Sequence, residues 1–340
     1  MVIRGSAGVF FDRVPLRALA NALLSAGNTT DVTALRQVSV SLAPTQAGAP
    51  AFPNILADAV TAGTLLSLTT MERELQNAHS RQASVELEQQ VGDRSTVSLG
   101  YEYLRGHQLL MAINQNVPTC LPSGTNNGCR PNPHYANNSQ YSSAGDSNYH
   151  GLHVSFVQRP ARWSHYRVSY TLAKSMNNIG EFFFSGPIDP TDLAKDWGRS
   201  DNDRRHRLVV NGSVKIKQFQ LSGVLQAFSA APLNITSGVT TIQGTAGRPL
   251  VNGEFIPRNS GEGNAFFTAG ARVSRAFRVT DRVELDALFE AFNVTNYVNV
   301  LTRNTNFGAG TYPTAPAPTF MQITSVGDPR SLQLGLRVRF

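Results

Sequence analysis

The chain has 340 residues, enough for one large β-domain or two ordinary domains, and 41% of them are hydrophobic. No stretch approaches the roughly 18 uninterrupted apolar residues of a transmembrane helix, which excludes a helical membrane protein but not a β-barrel, because only alternate barrel residues face lipid. The net charge of +7 comes from 26 Arg and 4 Lys against 23 acidic residues, and the arginines are scattered, which argues against nucleic acid as a partner.

The N-terminal sequence, MVIRGSAGVFFDR, has no basic region followed by an apolar core and a small-residue cleavage site. An exported chain begins with such a signal, and this sequence already alternates like a strand near its first residue. We therefore expect a signal peptide and further sequence upstream.

Alternation of apolar and polar residues with a period of two predicts ten antiparallel strands. The seventh is the weakest, because Val224 and Phe228 interrupt its alternation. The last is the clearest, with Leu332, Leu334, Leu336, Val338 and Phe340 on one face and Ser331, Gln333, Gly335, Arg337 and Arg339 on the other. In chain order, we predict strands at 2–12, 79–91, 96–103, 148–158, 165–172, 204–215, 218–230, 265–278, 283–291 and 331–340.

The connections between these strands alternate between long and short. Outer-membrane barrels have long extracellular loops and short periplasmic turns, whereas a soluble sandwich has no reason to place every long loop at one end. The pattern therefore predicts an all-β fold, a transmembrane antiparallel outer-membrane β-barrel. The long connections are 13–78, 107–147, 175–203, 231–264 and 294–329, and the short ones are 91–94, 159–162, 215–217 and 279–282.

The first long loop also contains a predicted helix. Pro15 would begin this helix and Gly27 would end it. Two roles remain open, a lid over the barrel mouth or a helix that only caps the loop's own small core. The predicted apolar face consists of Leu16, Leu19, Ala20, Leu23 and Leu24.

The two cysteines, Cys120 and Cys129, lie in a loop rich in Pro, Gly and Asn. The pair is typical of an oxidising compartment and predicts a disulfide that closes a small loop, with two free thiols as the alternative. Because the bridge would constrain a loop and not the strands, we expect it to contribute little to barrel stability.

The remaining polar residues give no specific sign of catalysis, of a cofactor or of a metal. His150 and His153 are three residues apart, which places them on opposite faces of a strand. Asp201, Asn202 and Asp203 offer oxygen ligands for Ca²⁺, but the neighbouring arginines make ion pairing in the loop the simpler interpretation. No Gly-rich phosphate loop and no Ser/His/Asp set in a supporting context is present, so we predict no catalytic residue.

Charged residues on the polar faces of the strands would line a wet lumen. There they would contact solutes, or pair with one another and with a plug. These residues are Glu86, Glu88, Glu102, Arg167, Arg207, Glu284, Asp286, Glu290 and Arg337.

Five segments together resemble the C-terminal barrel of TonB-dependent transporters, in particular the Oar-like group of acidobacterial type. They follow the order of that family and span nearly the whole chain. The segments are VIRGSAGVFFDR (2–13), RVSYTLAKS (167–175), SDNDRRHRLVVNGS (200–213), FEAFNVTNYVN (289–299) and ITSVGDPRSLQLGLRVRF (323–340).

The resemblance implies energised import of a ligand across the outer membrane, through a plugged barrel of 22 strands. Residues 1–340 would then be the C-terminal ten strands of such a barrel, because the plug and the motif that contacts TonB are not in this sequence. We therefore expect TonB to act only through that missing part, and we expect no transport by this chain alone. The alternative is a structural or adhesive outer-membrane barrel whose loops bind partners, and a secreted soluble β-protein is a distant third.

The last strand has a second predicted role. Outer-membrane barrels resemble one another in ending on an aromatic residue that the barrel assembly machinery reads. We therefore predict a membrane-assembly signal in Leu334, Leu336, Val338 and Phe340, with that machinery and outer-membrane lipid as partners.

Overall fold

The computed structural model describes residues 1–26, 45, 49–51, 53–54, 66–119, 129–159, 163–180, 186–239 and 247–340. Ten long strands dominate it, as the alternation predicts. They are β1 (Val2–Phe11), β2 (His79–Val91), β3 (Ser95–Asn114), β4 (Asn138–Gln158), β5 (Ser164–Asn177), β6 (His206–Ile216), β7 (Phe219–Phe228), β8 (Phe266–Arg278), β9 (Glu284–Phe292) and β10 (Ser331–Arg339).

These ten strands form one antiparallel meander, in which every strand pairs with the next one along the chain. The first and last strands, β1 and β10, are the two edges, and each has a single long neighbour. The alternating connections put the long loops at one end of the sheet and the short turns at the other, which is the arrangement of an outer-membrane barrel. The short connection at 159–162 lies largely outside the described residues.

The pairing register joins the apolar faces of all ten strands into one surface. In β9 and β10, Phe289 is directly opposite Leu334, and in β6 and β7, Val214 is directly opposite Leu221. Because opposed residues point to the same side of a sheet, this register continues from strand to strand without inversion. One continuous row runs from β1 to β8 through Ile3, Leu87, Leu99, Val154, Tyr170, Leu208, Ala227 and Phe267.

This outer face is exposed, although it is apolar. Leu334 is 82% exposed and Leu336 is 73% exposed. Exposure of that extent is unfavourable in water and favourable in hydrocarbon, so the face is a lipid-facing belt. Two buried hydrophobic clusters occur in the described chain, and both involve the long connections, because a barrel buries its strand faces in lipid and not in a protein core.

The predicted loop at 107–147 is wrong in its bounds. The strands β3 and β4 extend into this predicted loop: β3 continues to Asn114 and β4 begins at Asn138, so the two form a hairpin that reaches beyond the belt. The register shifts twice between Gly106 and Met111, and Gln108 has a positive φ of 57°. Such bulges reset the side-chain faces, so the alternation that reveals a strand in the sequence is interrupted there.

The predicted helix in the first loop is confirmed as α1 (Leu16–Ser25), but its predicted buried face is wrong. The buried residues are Ala18 and Ala22, and Ala18 packs against Ala112 and Tyr141 of the β3–β4 hairpin. Alanine occupies the contact between the helix and the hairpin because its small side chain allows the two to approach closely. The leucines of the predicted face that are exposed are Leu16, Leu19, Leu23 and Leu24.

The remaining elements are short and belong to the long connections. Among the described residues, no helix is long and apolar enough to span a bilayer. A 3-10 helix spans Leu193–Asp196 and a two-residue strand, Gly198–Arg199, pairs with β5. The strand Leu68–Met71 runs parallel to the start of β4, and the other short pairs are Pro232–Leu233 with Gly261–Glu262, Leu250–Val251 with Glu254–Phe255, and Val300–Arg303 with Ile323–Val326.

Candidate functional site

The main candidate site is a cavity of about 920 Å³ at the long-loop end of the sheet. Four of the five long connections contribute to its lining, which mixes apolar side chains with a few polar ones. This composition is typical of small-ligand sites, where apolar walls supply area and isolated polar groups supply orientation. The lining includes Val117, Ile188, Thr191, Arg248, Phe255 and Tyr312.

A buried ion pair holds two of these loops together. The guanidinium of Arg248 donates to the Asp196 carboxylate at 2.6 Å and to the Lys195 carbonyl at 2.7 Å. The second carboxylate oxygen of Asp196 accepts from the Ile188 backbone N–H at 2.6 Å. The Arg248 and Asp196 side chains are 3% and 9% exposed. The pair is well shielded from water and is held by these three hydrogen bonds, although Arg248 Nε has no partner among the described residues. The pair therefore fixes the cavity wall at Ile188 and Arg248.

A second ion pair lies at the cavity rim. The Lys195 ammonium donates to the Asp189 carboxylate at 2.7 Å, and Thr191 donates to the same carboxylate from its N–H and its hydroxyl. Partial burial opposes ionisation of Asp189, but these hydrogen bonds lower its pKa to about 2. Asp192 caps the 3-10 helix by accepting from the Ala194 N–H, so this segment is ordered by its own polar side chains.

The aspartates that were considered for Ca²⁺ are engaged by arginine instead. Asp203 accepts from Arg199 Nε at 2.7 Å and from the Ser175 N–H at 2.9 Å. Asp201 accepts from Arg258 Nη2 at 2.9 Å and from Asn259 Nδ2 at 2.7 Å. The ion-pairing interpretation of SDNDRRHR is therefore confirmed, although the partners are arginines from outside that motif.

The opposite wall is held by an aromatic cluster. Phe307, which is 1% exposed, packs against Tyr312 and Phe320, with ring centroids 4.9 and 5.1 Å apart. Its N–H donates to the Thr236 carbonyl at 2.7 Å, and Thr236 and Asn306 form an isolated bridge. These contacts join the β7–β8 and β9–β10 connections, which both line the cavity.

The inner face of the sheet carries the charged residues that the sequence assigns to a wet lumen. Most of its carboxylates are paired: Arg4 donates to Glu88 at 2.6 Å, and Arg339 binds Asp286 through two bonds of 2.6 and 2.9 Å. These carboxylates do form ion pairs, but their partners, Arg4 and Arg339, lie outside the predicted set, so the expected pairing of its members with one another is not what the structure shows. Longer contacts join Arg4 with Glu86, His153 with Glu102, Arg339 with Glu284 and Arg272 with Glu290.

His150 and His153 lie on opposite faces of β4, as predicted. His150 faces outwards, 2.6 Å from the Tyr101 hydroxyl, whereas His153 faces the lumen, 3.1 Å from the Thr171 hydroxyl. The separation by face means that the two imidazoles do not share a site.

The predicted disulfide and assembly signal stay predictions. Cys120 lies outside the described residues. Thr119 donates to the Cys129 carbonyl from its N–H at 2.9 Å and from its hydroxyl at 2.8 Å, so the start of this loop is close to its end. Phe340, the last residue of the predicted signal, is fully exposed on the lipid-facing side of β10.

Sequence reasoning missed the residues that hold the long connections together, above all Arg248, Asp196 and Arg258. They are joined by contacts across 50 or more positions, and nothing local in a turn-rich loop marks them. The segment DPTDLAKD had a usable signal, because Asp192 stands where a helix cap is expected.

The ten strands form an antiparallel meander with a lipid-facing outer belt, a charged inner face and all long loops at one end. This arrangement defines an outer-membrane β-barrel. Residues 1–256 match the outer membrane beta barrel domain family, and the chain belongs to that family. Its location is therefore the outer membrane. A comparison with curated proteins found no match.

Solved structures that align with this chain are much longer than it is. The outer membrane transporter YddB from Escherichia coli aligns with a TM-score of 0.56 and 13% identity, over 83% of this chain and 35% of YddB. The ferripyoverdine receptor of Pseudomonas aeruginosa aligns with a TM-score of 0.47 and 12% identity, over 78% of this chain and 27% of the receptor. The likeness to YddB shows the fold, and the chain spans 35% of that transporter's length.

Proposed function

We propose that this chain is the C-terminal part of the barrel of a TonB-dependent transporter of the Oar-like type, and that its loop cavity receives the ligand. The observation that carries the proposal is the cavity itself. It is about 920 Å³ in volume, it opens among four long loops, and a buried ion pair holds its wall before any ligand arrives. Preformed walls lower the entropic cost of binding, which a receptor for a scarce ligand requires.

The two edges of the sheet support a larger barrel. The outer edges of β1 and β10 carry backbone N–H and C=O groups that no long strand pairs, and each such group costs several kcal/mol in hydrocarbon. We propose that further barrel strands pair with both edges and that a plug fills the enlarged lumen. TonB would act through the plug, and the barrel assembly machinery would insert the complete barrel into the membrane.

The test is ligand uptake in cells of the native organism. Cells with the gene intact and cells with the gene deleted are grown in the same defined medium. Mass spectrometry then measures which compounds each strain removes from the medium. We expect one compound class to be depleted only when the gene is intact, and we expect a protonophore to abolish its depletion. Depletion that does not depend on the gene or on the proton gradient contradicts the proposal, and a loss of surface attachment instead would identify the adhesive alternative.

A second arm expresses residues 1–340 as the only copy. Because both sheet edges would then be unpaired in lipid, we expect no energised uptake from this chain alone. Uptake that responds to the proton gradient in these cells would disprove the need for further strands.

A further inference from the structure

Two histidines lie side by side on the outward face of the sheet, at its long-loop end. His79 is the first residue of β2, and the pairing register places it directly opposite His107 of β3. Because opposed residues point to the same side of a sheet, both imidazoles project outwards. Their ring centroids are 5.6 Å apart and their planes are inclined by 32°. The two rings are therefore close enough to contact a single small ligand.

In both rings, Nδ1 is engaged by an oxygen that can only accept a hydrogen bond. His107 Nδ1 lies 2.8 Å from the Asp146 carboxylate of β4, and His79 Nδ1 lies 3.1 Å from Gln108 Oε1. Asp146 is held in turn, because its N–H donates to Asn178 Oδ1 at 2.7 Å. Each neutral imidazole therefore carries its proton on Nδ1 and a lone pair on Nε2. Metal-binding histidines are oriented in the same way, by donating their other N–H to a carboxylate or carbonyl oxygen.

The two Nε2 atoms are open to a ligand. Among the described residues, none forms a hydrogen bond with Nε2 of His79 or of His107, and neither atom is buried. An ion bound at about 2.0–2.1 Å from each nitrogen separates the two ring centroids by roughly 4.5–6.5 Å, depending on the angle at the metal. The observed separation of 5.6 Å falls within that range.

The backbone of β3 is distorted where Gln108 joins this group. In a regular strand, Gln108 would point to the face opposite to that of His107. The register shifts between Gly106 and Leu109, and Gln108 has a positive φ of 57°. As a result, the consecutive side chains of His107 and Gln108 both contact His79. A positive φ is unfavourable for glutamine, and bulges that re-aim a side chain are frequent beside functional sites, so the distortion is a second, independent sign of a site.

The chemistry of the group selects the kind of ion. Within the described chain, no three or more His, Cys, Asp or Glu side chains are placed to hold a metal, so two imidazoles and water would form the coordination shell. Arg81 and Arg105 lie two positions further along the same face, where their charges oppose any cation. The ion must therefore be held by coordination more than by charge. This excludes Ca²⁺ and Mg²⁺, which take oxygen ligands, and favours Cu²⁺, Ni²⁺ and Zn²⁺, which imidazole binds well.

We propose that Nε2 of His79 and Nε2 of His107 together bind one divalent transition-metal ion on the outward surface, Cu²⁺ more tightly than Ni²⁺ or Zn²⁺. Asp146 and Gln108 are positioning residues, which fix the tautomer and the orientation of the two rings. The proposal does not depend on ligand uptake, because it concerns the outward face and not the loop cavity.

The test uses the full chain extracted from outer membranes in detergent and freed of metal with a chelator. One equivalent of Cu²⁺ is added, and pulsed electron paramagnetic resonance counts the imidazoles bound to it. We expect two imidazoles, and we expect excess Zn²⁺ to displace the copper whereas the same excess of Ca²⁺ or Mg²⁺ does not. A spectrum with one imidazole or none, or displacement by Ca²⁺, overturns the proposal before any substitution is made.

The variant arm compares two pairs of outward histidines. His79→Gln with His107→Gln removes the proposed ligands, and His150→Gln with His206→Gln is the matched control, since those two imidazoles each contact a tyrosine hydroxyl instead. We expect the first double variant to bind Cu²⁺ more weakly by more than the roughly 10- to 100-fold typical of losing a second-shell partner. The control should keep the original affinity and the two-imidazole spectrum. An equal loss in both double variants, or no loss in the first, contradicts the site.

The positioning role of Asp146 has its own readout. Asp146→Asn keeps an oxygen acceptor near His107 but removes the charge, so Cu²⁺ should bind about 10- to 100-fold more weakly while the two-imidazole spectrum is retained. Unchanged affinity, or loss of one imidazole from the spectrum, contradicts the role assigned to Asp146.

Discussion

Replacement of Arg248 by methionine should open the wall of the loop cavity while leaving the barrel intact. The substitution removes the cation from a pair in which the Asp196 side chain is 9% exposed, and it leaves that carboxylate buried with the Ile188 N–H as the donor that remains. Loss of one member of a buried pair costs about 3–5 kcal/mol, because the other charge stays desolvated.

The size of this destabilisation can be measured at one backbone amide, that of Ile188. The Ile188 N–H donates to Asp196 at 2.6 Å, so its hydrogen exchange reports opening of this wall. A loss of about 3–5 kcal/mol corresponds to exchange that is faster by roughly two to four orders of magnitude. Amides in β6 and β7 should exchange as before, because the strand ladder does not depend on the pair.

Two further variants make the test sharp. Arg248→Met with Asp196→Asn removes both charges and keeps an acceptor for Ile188, so it should recover much of the lost protection. Arg282→Met, in the exposed turn at the other end of the sheet, should change nothing at Ile188. Unchanged exchange in Arg248→Met, or equal exchange in the single and double variants, would refute the argument that this ion pair fixes the cavity wall.

Three other predictions concern separate parts of the chain. Cys120 and Cys129 should resist thiol labelling until the protein is reduced, and reduction should leave the melting temperature of the barrel nearly unchanged; labelling of both without reduction refutes the bridge. Deletion of Phe340 should lower the fraction of chain inserted in the outer membrane while synthesis is unchanged, and equal insertion counts against an assembly signal. The Asp189 carboxyl, followed by its carbon chemical shift, should titrate with a midpoint of about 2, because hydrogen bonds from Lys195 and Thr191 outweigh its partial burial. Since this pKa lies below the ordinary value, the contact stabilises the loop above about pH 4 and is lost as the pH falls towards 2, so a midpoint near the ordinary ~3.9 contradicts it.

The strands could be predicted because their alternation is enforced by the membrane. A residue such as Leu221 faces lipid and its neighbour Ser222 faces the wet interior, so each strand position is specified by one local property. Even β7 was predicted within two residues at its ends, although Val224 faces inwards with the polar set.

The candidate site could not be predicted in the same way. Arg248 meets Asp196 only because two loops from different hairpins are brought together above the sheet, and that proximity is not encoded near either residue. The prediction of the buried face of α1 was wrong for a related reason. Its leucine stripe looks like a core face, but the residue that packs against the hairpin is the small Ala18.

The central claim is that alternate residues of these strands face lipid and a wet interior. Spin labels on Leu221→Cys and Ser222→Cys, each in a Cys120→Ser, Cys129→Ser background, test it most directly in membranes that contain the protein. The label at position 221 should collide with oxygen, which concentrates in hydrocarbon, and the label at 222 should collide with a water-soluble nickel complex. Equal accessibility of both positions to the nickel complex, or the reverse pattern, would contradict an outer-membrane barrel.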